Sequence, residues 1–247
     1  MTDHLSKNQM KLVKSLQQKK YRDQEGFFLV EGVKPVGEAL NSGAKVKMII
    51  YEGDVNAFPY ELTNPAFKVS SRELKSISAL KSPNKIIAVC SQSINYPNSE
   101  TDWVVVLDQV SDPGNLGTII RICDWMGINR IVCSPNSVDV FNPKVVQASM
   151  GSIFRISLEY RELVDYFEDN KSITAYGADM SGTPLDKFAF PEKGILVMGS
   201  ESHGISDSIR GYCSENISIP KIGGGESLNV AVSTGIILSH LRNRNSH

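Results

Sequence analysis

The feature that most constrains the fold of this chain is the alternation of strand-like and helix-like segments that begins at Trp103. The segment WVVVLDQV (103–110) is almost continuously apolar, as expected of a strand buried on both faces of a sheet. The strands predicted after it are RIVCS, SITAYGAD, GILVMGSE and NISIP. They alternate with predicted helices, which are GNLGTIIRICDWMGI, NPKVVQASMG, RELVDYFEDN, ISDSIRGYC and SLNVAVSTGIILSHLRNR. Strands separated by helices imply a parallel sheet covered on both sides, so we predict an α/β fold.

The first part of the chain has a less regular pattern and is predicted to form a separate, smaller domain. It contains a basic helix within residues 1–22, strands at GFFLVEG and KVKMIIY, a helix through VGEALNSG and a β-type segment NKIIAVC. The polar stretch SQSINYPNSETD (91–102) follows, and Pro97 within it is typical of a linker. We therefore place a boundary near residue 95 and predict domains at 1–95 and 96–247.

The distribution of charge points to a basic patch in the smaller domain. The net charge of −1 argues against a strongly basic nucleic-acid binder as a whole. One cluster comprises Lys7, Lys11, Lys14, Lys19, Lys20 and Arg22, against Asp3 alone, and a second comprises Lys68, Arg72, Lys75, Lys81 and Lys85, against Glu73 alone. Either cluster by itself is typical of a solvated surface. Together they predict a patch that faces RNA or DNA.

Cysteine and histidine usage argues against a metal enzyme. Cys90, Cys123, Cys133 and Cys213 are too scattered for a CxxC unit and lie in or beside apolar stretches, so we expect small buried thiols. The four histidines show no metal-ligand spacing. The N-terminus has no apolar segment of signal-peptide type, and no apolar run reaches transmembrane length. We expect a cytoplasmic protein with no metal and no membrane partner.

Three loops that follow predicted strands are rich in glycine and small polar residues. They are DQVSDPGNLGTIIR (108–121), MGSESHGIS (198–206) and IPKIGGGESLNVAV (219–232). Each alone is consistent with a glycine-assisted turn and helix cap. In open parallel sheets, however, ligands bind beyond the carboxyl ends of the strands, so the three together predict a binding site. Neither the P-loop nor the dinucleotide fingerprint occurs, which argues against a dinucleotide-dependent oxidoreductase.

These loops carry a family resemblance. Asn115-x-Gly117-x-x-x-Arg121, Gly199-x-Glu201-x-x-Gly204, and Ile219-Pro220 followed by Ser227-Leu228-Asn229-Val230 resemble the three signature motifs of the SpoU/TrmH family of RNA 2′-O-ribose methyltransferases, within the SPOUT superfamily. The resemblance spans residues 103 to about 242. The N-terminal YRDQEGFFLVEG is similar to the substrate-binding domain often attached to these enzymes, a small α/β fold like RNA-binding ribosomal proteins.

The resemblance implies a fold that the residue pattern alone would not suggest. Periodicity leads to an unknotted sheet, and knots are essentially absent among folds in general. SPOUT domains, in contrast, tie their C-terminal chain through a deep trefoil knot. The resemblance also implies S-adenosyl-L-methionine as cofactor and a homodimer whose active site lies near the subunit interface.

Site residues follow from the resemblance, position by position. The catalytic set is Arg121, Asn115, Glu201, Ser227 and Asn229. Arg121 is suited to a phosphate beside the target ribose, and because an arginine normally stays protonated we leave its proposed role as a base open. Capping of a helix is the alternative role for Ser227 and Asn229.

The cofactor-binding set is Gly199, Ile219, Leu228 and Gly223, in which glycine allows close backbone approach and the aliphatic residues enclose adenine. Lys221 stands where the family motif usually has methionine.

The sequence therefore predicts S-adenosylmethionine-dependent 2′-O-methylation of ribosomal RNA, with transfer RNA as the second substrate class. The N-terminal domain favours ribosomal RNA, because the shortest tRNA-modifying relatives lack such a domain. An alternative of a different class is a catalytically silent RNA-binding or ribosome-assembly protein that keeps the methyltransferase fold. The presence of all five residues of the catalytic set argues against that alternative.

Overall fold

A computed structural model describes residues 4–62, 64–96 and 102–244 of the chain. Its helices are α1 (Lys7–Ser15), α2 (Lys19–Glu25), α3 (Val33–Asn41), α4 (Ser71–Ile77), α5 (Pro113–Trp125), α6 (Pro143–Ser149), α7 (Leu163–Asp169), α8 (Asp207–Arg210) and α9 (Val230–Arg244). Its strands are β1 (Phe27–Glu31), β2 (Val46–Tyr51), β3 (Ala66–Lys68), β4 (Ile86–Ser91), β5 (Trp103–Leu107), β6 (Arg130–Cys133), β7 (Ser157–Tyr160), β8 (Ala175–Pro184), β9 (Gly194–Met198) and β10 (Cys213–Ser218).

The chain divides into two compact units. The first comprises Met1–Pro97 with Asp139–Arg155, and the second comprises Asn98–Val138 with Ile156–His247. The domain boundary near residue 95 stays a prediction. The segment Asp139–Arg155, which the sequence pattern assigned to the larger domain, packs within the first unit.

The second unit has the predicted parallel α/β architecture. Its strands lie in the order β10-β8-β9-β5-β6-β7, and every neighbouring pair is parallel. All five residues of β5 and all five of β9 are buried, which confirms the expectation from their continuous apolar sequence. Helix α5 packs against α9.

The first unit is built on a four-stranded sheet in the order β1-β4-β2-β3. The segment from Asp139 completes its core, because the ring of Phe28 on β1 lies 4.6 Å from that of Phe141 and 6.2 Å from that of Phe154. Arg22 forms an ion pair of 2.6 Å with Asp139, and its side chain is only 2% exposed. The two parts of this unit are therefore joined by aromatic packing and by a buried ion pair.

Some elements were not predicted from the sequence. The basic stretch near the N-terminus forms two helices rather than one, with a break at residues 16–18. Strands β3 and β7 were missed because they are short and only partly buried. Helix α4 was also missed, although Ser70 and Glu73 form a capping box that could have indicated its start.

Buried thiols were expected at all four cysteines. Cys90, Cys123 and Cys133 are buried, and burial raises the pKa of each thiol above its usual value. Cys213 is only half-buried, with a thiol pKa raised by burial to about 11. All four therefore remain protonated near neutral pH.

Candidate active site

The predicted site lies at the carboxyl ends of two central strands. Strands β5 and β9 are paired along their whole length. Trp103 lies beside Gly194 at one end, and Leu107 lies beside Met198 at the other. The backbone N–H of Asp108 then donates to the carbonyl of Met198 at 2.9 Å. The first and second motif loops therefore leave the sheet side by side, as the parallel arrangement predicted.

The first loop leads directly into α5. The side chain of Asp112 accepts a hydrogen bond from the backbone N–H of Asn115 at 2.9 Å, and Pro113 occupies the first helical position. This combination of cap and proline defines the start of the helix. It places Asn115 in the first turn, with its side chain available for contacts outside the helix.

Three of the five predicted catalytic residues meet in one chain of hydrogen bonds. The side-chain amide of Asn115 donates to the carboxylate of Glu201. The amide oxygen of Asn115 accepts from Asn229 Nδ2 at 2.8 Å. Each of the three residues belongs to a different motif loop. Glu201 is 86 positions and Asn229 is 114 positions from Asn115 along the chain. The tertiary structure therefore gathers the three motifs into one polar cluster, which we call the Asn115 cluster.

Asn229 has the capping role that the sequence offered as an alternative, and it also contacts Asn115, while its catalytic role stays a prediction. Its side-chain oxygen accepts from the backbone N–H groups of Ala231 at 3.0 Å and Val232 at 3.3 Å, which caps α9. Its side-chain nitrogen meanwhile donates to Asn115. The cap thus orients the amide toward the cluster.

The other two predicted catalytic residues stand apart. Arg121 lies on the exposed side of α5, and Ser227 is exposed in the loop before α9. Within residues 4–62, 64–96 and 102–244, neither side chain makes a hydrogen bond or an ion pair with another residue. Arg121 is therefore an uncompensated cation on the helix that carries Asn115.

Gly199 is required by the packing of the second loop on itself. A Cβ at this position would lie 2.0 Å from the carbonyl carbon of Gly204 and 2.2 Å from the nitrogen of Ile205. The turn is closed by two backbone hydrogen bonds between Ser200 and Gly204, at 3.0 and 2.9 Å. The backbone of Gly199 thus closely approaches the backbone of its own loop, at Gly204 and Ile205.

The third loop is open. Gly223, Gly224 and Gly225 are exposed, and a Cβ at any of them would meet no heavy atom within 4 Å. Ile219 is half-buried, Leu228 is 52% exposed and Ile222 is fully exposed. The loop therefore presents apolar side chains and accessible backbone along one stretch.

Comparison with known proteins shows the same family in sequence and in structure. Residues 102–239 match the model of the SpoU rRNA Methylase family, and residues 7–88 match the MRM3-like substrate binding domain. The chain belongs to the SpoU rRNA methylase family. It is 33% identical to the 23S rRNA guanosine-2′-O-methyltransferase RlmP of Bacillus subtilis, over 96% of this chain and 97% of that protein.

Solved structures of the family resemble the whole chain. A protein from Porphyromonas gingivalis assigned to the TrmH family of RNA methyltransferases has 36% identity and a TM-score of 0.86, covering 98% of this chain and 100% of that one. The SpoU methyltransferase AviRb of Streptomyces viridochromogenes, solved with S-adenosylmethionine, has 25% identity and a TM-score of 0.84, covering 98% and 99%. An S-adenosylmethionine-bound rRNA methyltransferase from Sinorhizobium meliloti has 27% identity and a TM-score of 0.84, covering 99% of this chain and 97% of that one.

As a SpoU methylase, the chain has S-adenosylmethionine as its cofactor, and its third loop fits that molecule. An adenine ring needs apolar contacts and nearby backbone donors and acceptors, and exposed Ile222 and Leu228 beside the open glycine run offer both. The individual contacts of Gly199, Ile219, Gly223 and Leu228 with the cofactor stay predictions.

The part of the chain that the structure describes has neither a metal-binding cluster nor a membrane-spanning helix. It contains no group of three or more histidine, cysteine, aspartate or glutamate side chains arranged to hold a metal ion. None of its helices combines the length and the apolar character needed to cross a bilayer.

One buried residue at this edge was not singled out from the sequence. Asp108 directly follows β5, is only 3% exposed, and accepts a hydrogen bond from the backbone N–H of Ser206 at 2.7 Å. It therefore ties the end of β5 to the far end of the second loop. The position of an acidic residue directly after a predicted buried strand was the sequence signal that could have indicated it.

Proposed function

We propose that this protein transfers the methyl group of S-adenosylmethionine to the 2′-hydroxyl of a ribose in ribosomal RNA. The observation that carries the proposal is the Asn115 cluster, which joins the three motif loops on the same edge of the sheet as the helix of Arg121. Curated relatives that match most of the chain are 23S rRNA 2′-O-methyltransferases from Bacillus subtilis and Streptomyces viridochromogenes. Those names support ribosomal RNA over transfer RNA.

The chemistry divides between the cofactor and the side chains. Bound S-adenosylmethionine would supply a methyl group activated by its positively charged sulfur, and the transfer would leave neutral S-adenosylhomocysteine and release the proton of the ribose hydroxyl. In our proposal the guanidinium of Arg121 holds a phosphate next to the target ribose, where its fixed fork of donors suits two phosphate oxygens. The Asn115 cluster orients the ribose hydroxyl, because its amides and carboxylate offer both donors and acceptors. Ser227 lies two residues before Asn229 and contributes a further hydroxyl to the substrate side.

The first unit is proposed to bind the RNA. Helices α1 and α4 pack together, and Gln17 Nε2 donates to the carbonyls of Ile77 and Ser78 at 3.0 and 3.1 Å. Packing of α1 against α4 therefore brings residues of both basic clusters into the same region of the first unit, whereas Arg22 is buried in its ion pair with Asp139. The members on these helices are exposed, namely Lys7, Lys11, Lys14, Arg72 and Lys75. Exposed cations on neighbouring helices, without an ion-pair partner among the described residues, suit a phosphate backbone.

Three further properties belong to the same proposal. We propose a homodimer, supported by the exposed apolar side chains of Trp125 at the end of α5 and of Val232 and Ile236 on one face of α9. We also propose a trefoil knot in the C-terminal chain and a cytoplasmic location, in keeping with family membership and a ribosomal RNA substrate.

The test is methyl transfer from radiolabelled S-adenosylmethionine to the organism's own 23S and 16S rRNA, followed by mapping of ribose methylation. We expect methylation of one ribose in the large-subunit RNA. This methylation should be absent from cells that lack the gene and restored by the purified protein. Labelling of a base atom, or cofactor binding without transfer to any RNA, would contradict the proposal.

A further inference from the structure

A small cavity opens at the carboxyl ends of β5 and β6, within the second unit. Its volume is about 190 Å³, and Asp108 and Ser134 lie on its wall with Gln109, Asn136 and Glu162. Leu163 and Ile209 add apolar surface. This volume is below the roughly 300–1,000 Å³ of pockets for drug-sized ligands, so the cavity suits one small ring system. No member of the Asn115 cluster lines it, although Ser206 in its wall ends the loop that carries Glu201.

The cavity offers hydrogen-bonding groups that the described residues leave unused. Asp108 is nearly fully buried, and the Ser206 N–H occupies only one of its two carboxylate oxygens. The side chains of Gln109, Asn136 and Glu162 are exposed, and none of them forms a hydrogen bond or an ion pair with another residue of 4–62, 64–96 and 102–244. The second oxygen of Asp108 and these three exposed side chains are therefore available to hydrogen-bond a ligand in the cavity.

The backbone at the mouth of the cavity is held in an unusual conformation. Gln109 has a φ of 59°, in the left-handed region that favours glycine. Its N–H donates to Ser134 Oγ at 2.9 Å, which holds the strained turn in place. Strain of this kind at a non-glycine residue marks candidate functional positions, and here it holds an uncommitted amide side chain at the cavity.

The charge of the lining favours one class of ligand over another. Two carboxylates line the cavity, and none of the described lysine or arginine residues does. A phosphate group is therefore disfavoured, because it would be repelled. A ligand with adjacent N–H donors is favoured, because a carboxylate accepts two parallel hydrogen bonds.

We propose that this cavity binds a guanine base of the RNA substrate, an inference that rests on the proposed function. Guanine presents N1–H and the N2 amino group side by side, which matches the two oxygens of Glu162. The second N2 hydrogen is left for the free oxygen of Asp108. The side-chain amides of Gln109 and Asn136 can donate to guanine O6 and N7. Uracil, cytosine and adenine would each place an acceptor against the carboxylate of Glu162.

The first experiment measures base binding without methyl transfer. The full-length protein, saturated with S-adenosylhomocysteine, is titrated with guanosine 5′-monophosphate and with inosine 5′-monophosphate, which lacks only the N2 amino group. We expect guanosine monophosphate to bind roughly ten- to hundredfold more tightly, the effect of hydrogen bonds to a charged group. Glu162→Gln should abolish this preference. Asp165→Asn, which removes an exposed charge from the same helix outside the cavity, should retain it.

The second experiment asks which guanine is bound. Inosine replaces, one at a time, the guanosines at and beside the methylated ribose of the RNA, and kcat/KM is measured. A loss of at least about tenfold for the wild type, but not for Glu162→Gln, identifies the base. The position of that inosine distinguishes the target nucleotide from a neighbour.

The two proposals fail in different ways. Equal affinity for the two monophosphates, or an unchanged preference in Glu162→Gln, would overturn the guanine site. Absence of methyl transfer to any ribosomal RNA would overturn the proposed function, while the monophosphate titration would still decide the guanine site. Gln109→Gly relieves the left-handed strain and removes the amide, so a folded protein with weakened guanosine monophosphate binding is expected. Undiminished binding in that variant would also count against the proposal.

Discussion

At the scale of single residues, the exposed guanidinium of Arg121 is the most informative group of the proposed active site. Arg121→Ala should lower methyl transfer by roughly 30- to 1,000-fold, because a lost charge-assisted contact to phosphate costs on the order of 2–4 kcal/mol. Arg121→Lys should recover only part of the activity, since ammonium keeps the charge without the planar fork. Turnover of a 23S rRNA fragment gives the measurement.

The controls separate a catalytic loss from a structural one. Arg121 is exposed and forms no hydrogen bond or ion pair with another described residue, so cofactor affinity and sedimentation should be unchanged in both variants. Lys193→Ala, which removes another exposed cation of the second unit, should keep full activity. A fully active Arg121→Ala protein would exclude the phosphate role.

Two glycines offer a matched comparison between packing and ligand contact. Gly199→Ala should disrupt the second loop, because its Cβ would lie 2.0 Å from the backbone of Gly204. Gly223→Ala has space for its methyl group and should leave stability unchanged. Thermal unfolding without ligand and calorimetric titration with S-adenosylmethionine would measure both effects. We expect Gly199→Ala to lower the melting temperature and cofactor affinity together.

Gly223→Ala tests the predicted cofactor contact directly. If the backbone at Gly223 approaches the cofactor, this variant should lose affinity while its melting temperature stays at the wild-type value. Wild-type affinity in a folded Gly223→Ala protein would instead remove Gly223 from the cofactor-binding set. In that case the glycine run would serve only the path of the chain.

At the scale of secondary-structure elements, α1 and α4 carry the proposed RNA-binding face. The double substitution Lys11→Glu, Lys14→Glu should weaken RNA binding and reduce the slope of log affinity against log salt by about 1–2, as expected for two lost phosphate contacts. Both side chains are exposed and unpaired within the described residues, so folding should not change. Filter binding at several salt concentrations would show the effect.

The matching control reverses the same number of charges in the second unit. Lys187→Glu with Lys193→Glu alters two exposed lysines that lie outside the α1 and α4 face. This protein should bind RNA with nearly wild-type affinity and salt slope. Equal weakening by both double substitutions would mean that overall charge, rather than this face, controls RNA binding.

At the scale of the whole molecule, the first unit depends on a segment that is distant in sequence. A fragment of residues 1–97 lacks Asp139–Arg155, which leaves Arg22 without Asp139 and uncovers Phe28. Leaving a buried charge without its partner costs about 3–5 kcal/mol. We expect this fragment to unfold at a much lower urea concentration than the first unit of the full chain.

Substitution of Asp139 separates the ion pair from the aromatic packing. Asp139→Ala in the full-length protein should destabilise the first unit, and Lys19→Ala, which removes a largely exposed i,i+4 ion pair with Asp23, should cost less than about 1 kcal/mol. Hydrogen exchange would locate the loss. A stable, cooperatively folded 1–97 fragment would show instead that the residues before the predicted boundary near residue 95 fold without the segment Asp139–Arg155.

The sequence by itself determined most elements of the second unit and its class of fold. Continuous apolar runs such as that of β5 have one stable placement, between two covered faces of a sheet, and the periodicity of the helices between them is strong. Short or half-exposed elements such as β7 and α4 have weaker patterns, and they were missed. The motif residues were likewise visible, because their spacing within each loop is local.

Only the tertiary structure decided which of these residues meet. Asn115, Glu201 and Asn229 come into contact because β5 and β9 pair in register and α5 packs on α9, and neither pairing is encoded in local spacing. The same holds for the ion pair between Arg22 and Asp139. These residues are 117 positions apart, on opposite sides of the domain boundary predicted from the sequence. Hydrogen bonds and ion pairs act over a few ångströms, so contacts between distant segments exist only after the sheet has brought their ends together.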